Sequence, residues 1–385
     1  MKRQLLGVAA ILLSISTYAQ DNPLWMRYCA ISPDGTTIAF TYKGDIYTVP
    51  STGGRASQIT TNPAHDTKPI WSPDGKKIAF ASDRMGSMDI FEVNKEGGIP
   101  KRLTTHSGNE APVAYKDAGH ILFLANIMPT AEDAQFPSGQ FQQVYEVNTE
   151  GGRPILFSSM PMEDISINHT GNTLLYHDKK GYEDPWRKHH TSSITRDIWL
   201  CSLNGNRTFR KQTAFNGEDR TPVWASDDKS FYYLSEEKGS FNIFKRDIDG
   251  NTSKQITNHT KHPVRFLSAA SNGTLCYGYD GEIYTVKEGA IPQKVQISIV
   301  TDKNDKDLIR QIKRSGATEI SLSSDAKEIA FVLRGDVYVT STEYSTTKQI
   351  TNTPQQERDI HFSPDGRSIV YASERHGLWK IYQTS

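Results

Sequence analysis

The sequence predicts an all-β fold, a six-bladed β-propeller of four-stranded antiparallel blades, followed by the first one to two blades of a second propeller. Three observations carry this expectation. A hairpin turn with an apolar strand behind it recurs eight times, a second marker follows each copy in phase, and glycine-rich turns close most copies. A unit of about 40 residues built from short β-rich runs and tight turns has the period of a propeller blade.

The clearest copy is Asp66-Thr-Lys-Pro-Ile-Trp-Ser-Pro-Asp-Gly-Lys-Lys-Ile-Ala-Phe80. Pro73 presets φ for the first central position of a β-turn, and Asp74-Gly75 can adopt the angles that reverse a hairpin. The turn and its strand return at Ser32-Pro-Asp-Gly35, weathered at 116–123, then at Asn168-His-Thr-Gly171, Ala225-Ser-Asp-Asp228, Ser271-Asn-Gly273, Ser323-Ser-Asp-Ala326 and Ser363-Pro-Asp-Gly366. The second marker is a polar residue, Ile or Val, then an aromatic, as in Asp45-Ile-Tyr47, Asp197-Ile-Trp199, Glu282-Ile-Tyr284 and Asp336-Val-Tyr338. Gly53-Gly54, Gly97-Gly98 and Gly151-Gly152 mark the next hairpin, and Ile59-Thr60, Leu103-Thr104, Gln212-Thr213, Ile256-Thr257 and Ile350-Thr351 the outermost strand. A blade cannot bury both faces alone, so the alternating apolar residues form cores between blades stacked around a channel.

Residues 1–19 read as a cleaved secretory signal, with Lys2-Arg3 before an apolar run and Thr17-Tyr-Ala19 before a cut at Gln20. No later run is apolar and long enough to span a bilayer, so the mature chain is expected in the periplasm or outside the cell. Units one to six fill 20–300. The charged run 301–316 reads as a linker, and 317–385 opens a second propeller. The last unit ends after its third strand, which leaves an open edge and implies a fragment of a longer protein.

Lys plus Arg equals Asp plus Glu, at 44 each of 385 residues. No global field favours a nucleic-acid partner. Cys29, Cys201 and Cys276 have neither a disulfide framework nor metal-ligand spacing, and at least one must stay unpaired. His65 and His106 have no metal partner either. No Gly-x-Ser-x-Gly elbow, His-Glu-x-x-His or phosphate loop occurs. We assign no cofactor, metal or catalytic residue. Arg334-Gly335-Asp336 sits where another unit has Lys43-Gly44-Asp45, so it is a turn.

Three features narrow the family: the secretory start leading into Trp25-Met-Arg-Tyr-Cys-Ala-Ile-Ser-Pro-Asp-Gly35, the long insertion 181–199, and the opening Glu328-Ile-Ala-Phe-Val-Leu-Arg-Gly-Asp-Val-Tyr338. Together they resemble the amino-terminal propeller region of secreted bacterial tricorn-like serine proteases. The resemblance implies a non-catalytic part that gates or guides oligopeptides toward downstream PDZ-like and protease modules, in a chain that can form a homo-oligomer. A stand-alone TolB-like propeller binding a protein or glycan partner is the other class that fits these blades.

The repeat leaves one stretch unexplained, 182–196 between the second and third strands of blade four. Arg187, Lys188, His189 and His190 cluster there beside Trp186. They are the candidate substrate-binding residues, because paired cations can hold a peptide's terminal carboxylate by charge-assisted hydrogen bonds. A solvated surface loop or a subunit contact is the alternative reading. A second excursion, 126–139, lengthens the matching loop of blade three, and the two loops could share one mouth of the channel.

Overall fold

The structure is a computed structural model that describes residues 23–127, 141–181, 184, 186, 193–300, 312–344 and 346–385. The chain divides into two compact units, Met1–Thr301 and Asp302–Ser385. In the first, six four-stranded antiparallel sheets follow one another. Their inner strands are Arg27–Ile31, Asp66–Trp71, Glu110–Asp117, Met162–Ile167, Asp219–Trp224 and Arg265–Ala269. The second strands are Thr37–Tyr42, Lys77–Ser82, His120–Ala125, Thr173–Asp178, Ser230–Ser235 and Leu275–Tyr279, and the third are Asp45–Pro50, Asp89–Asn94, Gln143–Asn148, Ile198–Ser202, Asn242–Asp247 and Glu282–Val286. The second unit holds a four-stranded sheet from Ala317–Leu322 to Thr347–Gln349 and a three-stranded one, Glu357–Phe362, Ile369–Ser373 and Lys380–Thr384.

The two sequence markers meet in space. Phe40 of the second strand lies opposite Tyr47 of the third, their rings 5.8 Å apart, and Phe80 lies opposite Phe91 at 6.1 Å. Such cross-strand aromatic pairs stabilise each sheet and fill the gap to its neighbour. The core is correspondingly divided, one cluster to each interface between blades. Ile38 and Phe40 pack toward blade six, whereas Ala39 between them faces blade two. Ile78, Ala79 and Phe80 repeat that arrangement one blade later. The period-2 pattern thus places a large pair on one face and a small residue on the other.

The outermost strands begin earlier than the sequence suggests. Pairing covers Ser57–Gln58, Lys101–Arg102, Thr208–Lys211, Ser253–Gln255 and Thr347–Gln349, and the marker threonines follow just after. Their role is different. The hydroxyls of Thr60, Thr104, Thr213, Thr257 and Thr351 accept from the backbone N–H of Ile46, Ile90, Ile198, Ile243 and Val337, at 2.8–3.0 Å. A threonine therefore satisfies a buried third-strand donor that the departing outer strand cannot reach.

At Ser72-Pro-Asp-Gly75 the Gly75 N–H donates to the Ser72 carbonyl at 2.9 Å, and the Asp74 carboxylate accepts from the Ser72 hydroxyl at 2.7 Å and the Lys76 N–H at 3.1 Å. Those two bonds hold the Asp74 carboxyl below its usual range. Gly75 has φ +67°, and Ala326 takes the same left-handed place at φ 57° in the second unit. Blade three departs from the pattern. Its inner and second strands join through Asp117 and His120 with only two residues between, and Gly119 donates to the Asp117 side chain.

The ring closes at the seam between the first and last blades. Ile297–Ser298 pairs in parallel with Gly54–Arg55, the Met26 N–H donates to the Gly281 carbonyl at 3.1 Å, and the Ser271 N–H donates to that of Pro33 at 2.9 Å. Each of the six blades of this unit supplies its own four strands, and the chain's return adds a short edge pair outside blade one.

Two acids at the start of inner strands, Glu110 and Asp219, are buried with no well-formed hydrogen bond to either oxygen, although the Thr104 hydroxyl approaches the first and those of Ser235 and Thr213 the second. Their counterpart Asp66 is engaged by the Arg84 guanidinium, both oxygens at 2.9 Å. Burial pushes the Glu110 carboxyl up to about 7 against the opposing pull of Thr104 and Arg102, with Asp89 adding to the rise. Asp219 is likewise raised to about 7 by burial, with Ser235 and Thr213 opposing.

A Cβ on Gly75 would meet only Pro33 at 3.6 Å, so the cost of Gly75→Ala is conformational, about 1 kcal/mol of strain less the stiffening of the unfolded chain, for a net loss of about 0.5 kcal/mol. Ala326→Gly removes a similar strain but loosens the unfolded chain, for a net gain of about 0.5 kcal/mol. Urea unfolding of both variants checks the pair, and unchanged midpoints would dismiss turn strain. For the acids, a folded-state pKa above the unfolded value means stability is present below about pH 4.5 and is lost as pH rises through about 7. Glu110→Gln with Asp219→Asn should be more stable than the parent at pH 8, by on the order of 2 kcal/mol per site, and equal to it near pH 4.5. The same pH slope in both proteins would refute this.

Candidate functional site

The inner strands of all six blades line one axial cavity of about 620 Å³. Each of these strands carries an irregularity in its pairing with the second strand. A bulge inserts an unpaired residue and re-aims its side chain. At five of the bulges that residue is left-handed although not glycine: Tyr28 (φ 52°), Lys68 (55°), Asp164 (49°), Thr221 (51°) and Phe266 (56°). Val113 takes the place in blade three. All six line the cavity, one from each blade. Left-handed backbone costs an L-residue roughly 1–2 kcal/mol, so the ring holds five such residues against local preference.

Charge concentrates on blades four to six. Among the described lining residues are five cations, Lys68, Lys179, Arg196, Arg220 and Arg265, against two carboxylates, Glu163 and Asp164. Glu163 accepts from Lys179 Nζ at 2.7 Å, lies 3.3 Å from His177 Nε2 and 3.6 Å from Arg196 Nε. Burial pushes the Glu163 carboxyl up, but the hydrogen bonds from His177 and Lys179 and the Lys179 charge outweigh it and hold it well below the usual range. His177 Nδ1 accepts from the Thr221 N–H at 3.3 Å, which leaves Nε2 to donate to Glu163. The Thr221 hydroxyl donates to Asp164 at 2.6 Å.

Behind this set, the fully buried Glu218 accepts from Arg196 at 2.8 Å, with Arg220 at 3.6 Å. Arg220 stacks 4.1 Å above Phe241, and burial brings its guanidinium down to about 10, Glu218 opposing and Arg265 and Arg196 adding. It stays charged at neutral pH. Counting Glu218, the cations still exceed the carboxylates, and the cavity presents hydrogen-bond donors in low-dielectric surroundings.

The blade-four insertion reaches this cavity through Trp186. Its indole packs 6.0 Å from Phe266, the guanidinium carbons of Arg27 and Arg265 lie 4.9 and 5.0 Å from the ring, and Arg265 donates to the Trp186 carbonyl at 3.0 Å. Blades one, four and six thus meet at one aromatic and cationic cluster, which Tyr28 extends at 4.8 Å from Phe266. At the base of the insertion Lys180 bonds Asp197 and the Thr195 carbonyl.

The four residues singled out from the sequence, Arg187, Lys188, His189 and His190, lie outside the described residues, as does most of 126–139. The residues that sequence reasoning missed are Glu163, His177, Lys179, Arg196, Arg220 and Arg265. One signal was available: Asp66-Thr-Lys-Pro69 and Asp219-Arg-Thr-Pro222 share an acid three residues before proline, and the residue preceding each proline is the left-handed one at the axis. Among the described residues, no group of three or more His, Cys, Asp or Glu side chains is placed to hold a metal ion.

A family model for the tricorn protease N-terminal β-propeller domain matches residues 23–290. Tricorn protease homolog 1 of Streptomyces coelicolor is 23% identical over 362 residues, which cover 92% of this chain and 32% of that protein. The tricorn protease homolog of Saccharolobus solfataricus is 27% identical over 330 residues, 82% of this chain and 28% of the homolog. Among solved structures, the crystal structure of the tricorn protease superposes with a TM-score of 0.63 at 18% identity, over 94% of this chain and 35% of that one. The chain spans about a third of the length of these curated relatives. With its blades, its axial cavity and a model match over most of its length, the chain belongs to the tricorn protease N-terminal β-propeller family.

Proposed function

We propose that this chain is the non-catalytic propeller portion of a tricorn-like periplasmic peptidase, and that its axial cavity receives oligopeptides bound for a protease module elsewhere in the parent protein. The observation that carries the reading is the cavity itself, about 620 Å³, lined by every blade and richer in cations than in carboxylates. That volume suits a small ligand or short peptide segment and excludes a folded protein. Every peptide ends in a carboxylate, and a partly dehydrated cationic surface attracts it selectively and binds it by charge-assisted hydrogen bonds. The aromatic edges of Tyr28, Trp186 and Phe266 supply apolar contact beside those charges.

Arg187 and Lys188, with His189 and His190, extend the proposed carboxylate-holding region, since they follow Trp186 directly in sequence. Export to the periplasm is supported by the basic start and apolar run of residues 2–15. His177, the one histidine among the described lining residues, is bonded to Glu163 and to the Thr221 amide rather than to a hydroxyl or thiol, an arrangement that favours binding over covalent catalysis.

Fluorescence-polarisation titration with labelled pentapeptides, each made as the free acid and as the C-terminal amide, tests this. The free acid should bind about 10-fold more tightly or better, the margin of one charge-assisted hydrogen bond, and more weakly at 0.5 M salt. Arg265→Gln should remove most of that preference, and Arg187→Ala with Lys188→Ala should reduce it further. Equal affinity of acid and amide for the parent would rule out carboxylate recognition.

A further inference from the structure

The seam that closes the ring carries a pair of thiols. Cys29 lies on the inner strand of blade one and Cys276 on the second strand of blade six, and both are buried in the single apolar cluster that joins those blades. Their side chains approach from opposite sides. Leu275 and Tyr277, which flank Cys276, pack toward blade five, so alternation turns Cys276 toward blade one. Cys29 in turn faces blade six, where its thiol donates to the Phe266 carbonyl at 3.5 Å. The register fixes the two together. Cys276 pairs across the sheet with Ser268, whose hydroxyl accepts from the Ile31 N–H at 3.0 Å, two residues beyond Cys29. Cys29 and Cys276 are both free thiols buried in that one seam. Cys201, the third cysteine, is buried in the cluster between blades three and four, which holds no other cysteine.

We propose that Cys29 and Cys276 form a dithiol–disulfide pair that, when oxidised, staples the first blade to the sixth. The oxidant is a disulfide, either oxidised glutathione or a thiol–disulfide oxidoreductase. One cysteine attacks that disulfide and releases a thiol, and the second displaces the remaining half. A Cys29–Cys276 bond forms, the oxidant's bond breaks, and the two hydrogens and two electrons leave with the pair of thiols released. Both sulfurs are buried in the closed seam, and burial favours the protonated form of the Cys276 thiol, so the exchange belongs to folding or to transient opening of the seam, not to the closed ring. The bond would add a covalent link to blades that otherwise meet through a shared apolar cluster, a two-residue parallel pair and scattered backbone contacts. Crosslinking chain ends so distant in sequence removes a large loop entropy from the unfolded state.

The full chain, refolded in oxidised or in reduced glutathione, is denatured and labelled with iodoacetamide, and its peptides are mapped by mass spectrometry. One labelled cysteine of the three, Cys201, together with a linked Cys29–Cys276 peptide, is expected after oxidation, and three labelled cysteines after reduction. The oxidised chain should melt about 5–10 °C higher. Cys276→Ala should label at both Cys29 and Cys201 and show no gain in melting temperature from the oxidant. Three labelled cysteines in the oxidised parent, or a bridge that includes Cys201 or a second chain, would overturn the proposal, and neither result depends on whether the cavity binds peptides.

Discussion

Each blade of this chain is apolar on both faces, and no sheet of four short strands can bury both by itself. The constraint is met by dividing one core into interfaces, each shared by two blades, so that the second strand of blade one sends Ile38 and Phe40 to the sixth blade and Ala39 to the second. A ring is the arrangement in which every such face finds a partner. Burying a Phe or Ile side chain contributes about 1.5–3 kcal/mol, and the large pair on each blade is therefore among the main terms that hold neighbours together. Directional bonds add register to this packing. The indole of Trp71 donates to the Ala30 carbonyl and that of Trp224 to the Ser166 carbonyl, from one inner strand to the one before.

Much of this was legible in the sequence because it is local. Ser72, Asp74 and Gly75 form a turn through bonds that span a few residues, and Asp45-Ile-Tyr47 recurs because a cross-strand partner waits at Phe40. Arg334-Gly335 is the tight hairpin its position suggested, with φ of 55° and 88°. The Ile-Thr markers were legible as positions but not as chemistry. Their threonines belong less to the outer strand than to the third, whose N–H groups they satisfy.

The cavity was not legible, and the reason is geometric. Its lining comes from a few residues of each inner strand, set by bulges that carry no glycine to announce them. Tyr28, Thr221 and Phe266 adopt left-handed backbone that their residue types disfavour, so propensity argues against the very conformation they hold. Ring closure was hidden for a related cause. Two residues, Ile297 and Ser298, pair with Gly54 and Arg55 across most of the first unit's sequence, and nothing local distinguishes them.

The strain at the axis and the charge beside it are connected. A left-handed residue persists only where the surroundings over-determine it, and here the ladders on either side of each bulge, together with interfaces packed against both faces of the blade, provide that. The Thr221 bulge shows the result most directly. It turns one residue so that its N–H reaches His177 and its hydroxyl reaches Asp164, while the flanking Arg220 joins Arg196 around the buried Glu218. A regular strand would alternate these groups between the two faces of the blade. The bulge places them toward the axis instead, so the rigidity of the interfaces between blades is what permits charged and hydrogen-bonding groups to converge on one cavity.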